Sequence, residues 1–179
     1  LSITVPNFLS VRNIVNLLTQ SSTIGLMALG MTFVLILGGL DLSIPANMAF
    51  SGILGAIYMR DIGSPVMAAL IMVVVGTAVG CVNGFAVAKL RMIPFIVTLS
   101  MQAILIGSSI WITKNDSVYN LPEVFSDTIL YRFGIVPVPV LVLFIVTLIT
   151  HIVLKRSFFG RWIYYVGINR DAAEVSGIP

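Results

Sequence analysis

Charged residues divide the chain into long uncharged stretches, and that pattern predicts its elements. One stretch runs between Arg12 and Asp41, and residues 42–59 form the next, ended by Arg60 and Asp61. Residues 62–88 follow, ended by Lys89 and Arg91; residues 92–113 come next, ended by Lys114. A polar segment, 114–132, then precedes residues 133–154, which Lys155 and Arg156 close. An α-helix rises about 1.5 Å per residue, so roughly 20 apolar residues cross a hydrocarbon core of ~30 Å. Backbone polar groups in lipid must be satisfied within the segment, which selects helices. The expected fold is therefore all-α: a polytopic transmembrane bundle of about five spans, at 21–40, 45–59, 65–88, 92–113 and 133–154. Only Asp41 separates the first two. Gly38-Gly39 and Pro45 bracket it, and both residue types interrupt helices, so a broken segment is expected near 38–45.

Composition strengthens this reading. Charged residues make up 9% and hydrophobic ones 58%, with a mean hydropathy of +1.07. An ordinary globular chain carries about 25% charge. Disorder, a basic nucleic-acid arm and a coiled coil are excluded, and so few charges cannot coat a soluble domain. The net charge of +3 matters through its placement. If residues 155–179 are cytoplasmic, Lys89, Arg91, Lys155, Arg156, Arg161 and Arg170 lie inside, whereas Arg12, Arg60, Lys114 and Arg132 lie outside. The bias favours an external segment 1–20, an external loop 114–132 and a cytoplasmic loop 155–179. Tyr58, Trp111 and Tyr131 would anchor the outer boundary, and Trp162, Tyr164 and Tyr165 the inner one. One cysteine, Cys81, and one histidine, His151, provide no intrachain disulfide and no clustered metal site. The start at Leu1 and the stop at Pro179 suggest a piece of a longer protein.

The candidate chemistry is sparse. Asp41 is an acid between apolar runs; it either lines a cavity or caps a helix N-terminus, and the two roles are compatible. Gly76, Gly80 and Gly84 recur at every fourth position, a spacing that lets another backbone approach and that reads chiefly as packing. Asn83 lies beside this ladder. Pro94 reads as a helix start, and Thr98, Ser100 and Gln102 after it either line a polar route or bond between helices. His151, near Lys155, reads as an interfacial residue. No G-x-x-x-x-G-K-[ST], H-E-x-x-H or G-x-S-x-G occurs, which excludes ATP hydrolysis by a P-loop on this chain. Intramembrane acids are too few for a carboxylate proton relay. An uncharged, partly polar interior suits a neutral hydrophilic solute. After residue 154, the basic-aromatic run through Arg161 suits a helix leaving the membrane. Asn169 can then N-cap a short helix, with Asp171 in its first turn, Ala172-Ala173 favouring helix and Gly177 ending it. This is either a docking element for a soluble partner or a solvated connector.

Three blocks together resemble the permease subunit of bacterial ABC sugar importers of the ribose/xylose/galactose type. Ala28-Leu29-Gly30-Met31-Thr32, running on to Gly38-Gly39-Leu40-Asp41-Leu42-Ser43, is similar to the family's "GMT…GGIDLS". Asn83-Gly84 with Ile93-Pro94-Phe95-Ile96-Val97-Thr98-Leu99 is similar to "NG…IPPFIATL". Phe159-Gly160-Arg161 with residues 167–178 is similar to "FGR…GGNEEAARLSGI". Ile44-Pro45 replaces the usual valine-glycine, and Ile168 replaces the second glycine of the last block. Branched-chain amino-acid permeases are distant relatives that differ at the Asp41 block.

The resemblance implies a bacterial inner-membrane transport subunit, without cofactor or catalytic residues of its own. It implies partners: a second permease subunit, identical or related; a cytoplasmic ATPase that binds ATP and magnesium; an extracytoplasmic sugar-binding protein; and membrane lipid, with no nucleic acid. The family's coupling helix maps onto Asn169, Arg170, Asp171, Ala172, Ala173, Glu174, Ser176 and Gly177. It also implies a span before Leu1 and a further half after Pro179. Asp41, Ser43, Asn47, Asn83 and Thr98 are the candidate pathway residues. The alternatives are an ion-coupled secondary carrier of a neutral solute and a non-transporting scaffold packed through Gly76, Gly80 and Gly84.

Overall fold

The computed structural model describes residues 8–178. The elements are α1 (Val11–Ile36), α2 (Ile44–Ile62), α3 (Pro65–Ala88), α4 (Pro94–Thr113), α5 (Glu123–Leu130), β1 (Arg132–Phe133), β2 (Val136–Pro137), α6 (Val138–Arg156), α7 (Phe158–Ile168) and α8 (Arg170–Val175). The fold is all-α apart from one two-residue antiparallel hairpin, β1–β2, among the described residues. Helices α1, α3, α4 and α6 are long and apolar enough to cross a membrane. Their outward faces carry Val66, Val73, Phe85, Ile104, Trp111, Phe144 and Ile149, all exposed. In water such continuous apolar surface drives association; in lipid it is solvated.

The chain divides into two compact units, Gly39–Ser126 and the pair of segments Leu1–Gly38 and Asp127–Pro179. In the first unit, α2 packs against both α3 and α4. This helix covers the expected 45–59 span and runs on to Ile62, but it is not among the four of crossing apolarity. Asn47, Ser51, Arg60 and Asp61 lower its hydropathy, while Ala46, Ser51, Gly55 and Met59 are buried. Gly55 accommodates the Met72 side chain and the Ala68 carbonyl of α3. The α2–α3 turn is built from Gly63 and Ser64. Gly63 has φ +79° and donates its N–H to the Met59 carbonyl at 2.8 Å, and the Ser64 hydroxyl accepts from the Met67 N–H at the start of α3. Left-handed backbone costs an L-residue about 1–2 kcal/mol. Gly63→Ala is therefore expected to lower stability by about 1 kcal/mol, seen as a lower thermal midpoint of the purified protein. Arg60 and Asp61 pair at 2.7 Å beside this turn. Both side chains are solvated, so the pair adds little.

In the second unit, α1 starts ten residues before the expected span, because Ser10 accepts the Asn13 N–H and Asn13 donates to the Phe8 carbonyl at 2.8 Å. It stops at Ile36 rather than at residue 40, where Gly38 turns the chain at φ +79°. The expected break at 38–45 is thus present, and it ends at Ile44. The start of the last span needs correction. Residues 133–137 enter the β1–β2 hairpin around Gly134 (φ +65°), and α6 begins only at Val138 after Pro137. Ahead of the hairpin, the polar segment expected at 114–132 contains α5.

Glycines set the close approaches of this unit. Gly25 lies against Leu143, which packs α1 on α6. A Cβ on Gly160 would overlap the Val153 and Leu154 carbonyls, so the α6–α7 elbow requires glycine there. Ser157 makes that elbow: its hydroxyl donates to the Val153 carbonyl and accepts from the Gly160 N–H at 2.9 Å. A Cβ on Gly167 would overlap the Ile36 carbonyl, which fixes the end of α7 against the end of α1.

Candidate functional site: a buried polar knot at the start of α2

The turn between Gly38 and Ile44 carries Asp41. Its Oδ1 accepts the Ser43 N–H at 2.9 Å and the Ser43 hydroxyl at 2.6 Å. Ser43 is the N-cap of α2 but makes no side-chain cap bond of its own. The carboxylate of Asp41 thus satisfies a donor at this helix start, where negative charge complements the helix dipole. Its Oδ2 has no protein partner among the described residues.

Two further helices hold the same turn. Asn83, from the last two turns of α3, donates Nδ2 to the Ser43 hydroxyl oxygen at 2.8 Å. Thr98, one turn into α4 after Pro94, donates to the Leu40 carbonyl at 3.3 Å and shares that proton with the Phe95 carbonyl. Ser43, Asn83 and Thr98 are 1%, 5% and 3% exposed, so these bonds lie out of solvent and lipid. One helical turn along α2, Asn47 donates Nδ2 to the Gly76 carbonyl at 3.0 Å. Four of the five candidate pathway residues therefore meet at one turn, and Asn47 lies beside it on the α2–α3 seam.

The accounting leaves acceptors over. The Ser43 proton goes to Asp41, and its oxygen takes the Asn83 amide. The Oδ1 atoms of Asn47 and Asn83 are buried without a hydrogen-bond partner. Leaving a buried acceptor unmade costs about 1–3 kcal/mol. Two buried amide oxygens without a partner and a carboxylate bonded through one oxygen leave this region rich in acceptors.

The glycine ladder is split. Gly76 faces Asn47, but no described atom lies within 4 Å of a Cβ built on Gly80 or Gly84. At about 100° per residue, each four-residue step drifts ~40° around the helix, whereas a seven-residue step returns within ~20°. Asn83, seven residues after Gly76, therefore shares its face, and Gly84 does not. Sequence reading missed the Asn47–Gly76 bond, because no spacing within one helix reveals the register of two.

At the other end of the second unit, Asn169 (φ −157°) caps α8, its Oδ1 accepting the Ala172 N–H at 3.0 Å. Gly177 (φ +80°) follows the helix, and the Ser176 hydroxyl donates to the Ala172 carbonyl at 2.8 Å. Arg170 and Glu174 approach to 3.5 Å one turn apart, Ala173 is buried, and Asp171, Glu174 and Val175 face outward. A cleft of about 430 Å³ opens between α7 and α8, lined in part by Trp162, Tyr165, Asn169 and Ala172.

Residues 13–179 match the family described as the permease component of the branched-chain amino acid transport system. The chain belongs to this family. Its relatives include permeases named for sugars. It is 35% identical over 179 residues to the L-arabinose ABC transporter permease of Azospirillum brasilense, covering 100% of this chain and 53% of that protein. It is 35% identical over 178 residues to the ribose import permease of Escherichia coli K12, covering 97% and 55%. It is 37% identical over 172 residues to the D-allose transport system permease of the same organism, covering 96% and 53%. This permease chain spans about half the length of those curated relatives. No solved structure matches it. With four membrane-length apolar helices and this family membership, the permease is a multi-pass inner-membrane protein.

Proposed function

We propose that the chain is part of the transmembrane subunit of an ATP-driven importer for a monosaccharide of the ribose/xylose/galactose type. The observation that carries this reading is the polar knot: Asp41, Ser43, Asn83 and Thr98 gathered at one interrupted helix start between apolar helices. The names of the arabinose, ribose and allose permeases support it, and so does the capped, outward-facing α8. In this reading α2 is the fifth crossing, segment 1–20 and loop 114–132 face outside, and residues 155–179 face the cytoplasm.

The permease works with a second permease subunit, an extracytoplasmic sugar-binding protein and a cytoplasmic ATPase that holds ATP and magnesium. Residues 169–177 form the coupling element. The ATPase moves α8, and the two nucleotide states differ in the contacts they make with it, as any ligand-driven change requires.

Cysteine cross-linking in the assembled full-length transporter tests this. Asp171→Cys and Glu174→Cys are expected to link to the ATPase subunit with a yield that changes on adding ATP, while Lys114→Cys gives no link. No link from either α8 position would overturn the coupling assignment.

A further inference from the structure

We propose that the cationic hollow where α6 meets α7 binds the phosphate of an anionic phospholipid headgroup. The hollow has a volume of about 450 Å³ and is lined by His151, Leu154, Lys155, Arg161 and Tyr164. His151 and Lys155 are one turn apart on α6, and Arg161 and Tyr164 are three residues apart on α7, so each helix presents two polar heads on one face. The elbow at Ser157 brings the two faces together, and Gly160 allows it by leaving space for the Val153 and Leu154 carbonyls. The Arg161 guanidinium stacks 4.4 Å from the centroid of the Phe158 ring, which holds it in place without neutralising it.

The charge here is uncompensated. No Asp or Glu occurs between Asp127 and Asp171, a stretch that contains Lys155, Arg156 and Arg161. The ion pairs of the described residues are Arg60–Asp61 and Arg170–Glu174, and neither reaches the hollow. An ammonium, a guanidinium fork and a phenol are together the donor set for phosphate oxygens.

Position decides what carries that phosphate. α6 is mainly apolar before His151 and ends in Lys155 and Arg156, with Trp162, Tyr164 and Tyr165 just beyond, the signature of a membrane–water boundary. Phe158, which stacks on Arg161, is 73% exposed, and its chain neighbour Phe159 is 56% exposed, so apolar surface for acyl chains accompanies the cations at this elbow. A soluble phosphate compound has no use for that rim. Basic pockets at this depth take lipid headgroups.

The test uses full-length permease in neutral detergent, titrated with dioleoyl phosphatidylglycerol, with phosphatidylcholine of the same chains, and with inorganic phosphate as competitor. Tighter binding of phosphatidylglycerol is expected, weakening with salt and resistant to inorganic phosphate. One interfacial cation contributes a factor of about five, so Lys155→Gln should weaken binding about fivefold and Lys155→Gln with Arg161→Gln about 30-fold. Arg60→Gln, far along the chain, should change nothing. Equal binding of the two lipids, an unaffected Lys155→Gln variant, or displacement by inorganic phosphate would each overturn the proposal. If Arg161→Gln disturbs the elbow, the exposed Lys155 side chain alone decides. The inference rests on α6 reaching the membrane boundary and not on what is transported, so sugar uptake by the same variants is a separate readout.

Discussion

Adding one methyl group at Gly167 is expected to cost the permease about 1–3 kcal/mol of stability. Two effects oppose each other. Gly167 lies inside α7, where alanine is intrinsically better than glycine by about 1 kcal/mol. Against that, its Cβ would overlap the Ile36 carbonyl oxygen. A side chain in that place could rotate away, but a main-chain carbonyl cannot, so α7 would have to leave the end of α1. The steric cost wins. Gly84 is the matched control: it too is helical, and no described atom would meet its Cβ. Gly84→Ala should be neutral or raise stability by a few tenths of a kcal/mol. Thermal midpoints of the two purified full-length variants should therefore move apart, Gly167→Ala down and Gly84→Ala level or up. Equal midpoints would contradict the packing of α7 on α1.

Asn83→Asp is expected to be still more damaging, by about 3 kcal/mol. The substitution is nearly isosteric, so packing is spared and electrostatics decide. It replaces a donor with an acceptor opposite the Ser43 oxygen, whose single proton is already committed to Asp41. It also places a second carboxylate in a site 5% exposed, one hydroxyl away from the first. Asn83→Ala leaves one unpaired oxygen and no new charge, and should cost about 1–2 kcal/mol. The order wild type, Asn83→Ala, Asn83→Asp in denaturation midpoint, with sugar uptake lost in the last, is the checkable outcome.

Much of this architecture is legible in the chain because lipid punishes charge. Arg91, Lys114 and Lys155-Arg156 mark helix ends simply by being where a hydrocarbon core cannot be. Gly38-Gly39 and Pro45 mark the interruption after α1, since one frees the backbone and the other constrains it. Asn169 and Gly177 bracket α8 for equally local reasons, a side-chain cap and a left-handed residue. What escaped were local signals outweighed by the hydropathy pattern, and contacts that depend on a second element. The first turns of α1 fall within the segment 1–20 expected outside the membrane spans, yet Ser10 caps a helix that starts at Val11. Residues 133–137 are apolar enough to read as helix, but Gly134 and Pro137 suit a hairpin better. The run from Lys155 to Arg161 read as one departing helix, whereas the need for glycine at position 160 appears only when α7 folds back over the carbonyls of α6. Among the candidate residues, Asp41, Ser43, Asn83 and Thr98 stand out as polar groups in an apolar setting, and the structure brings these four to one turn. Which bonds they make with one another needed the register of α2 against α3 and α4.

The seat of Gly167 on Ile36 has a mechanical consequence. Two main chains in contact, with no side chain between them to yield, behave as a welded joint: α7 cannot slide along α1 without carrying its last turn with it. Any movement of the end of α7 is therefore passed directly to the end of α1.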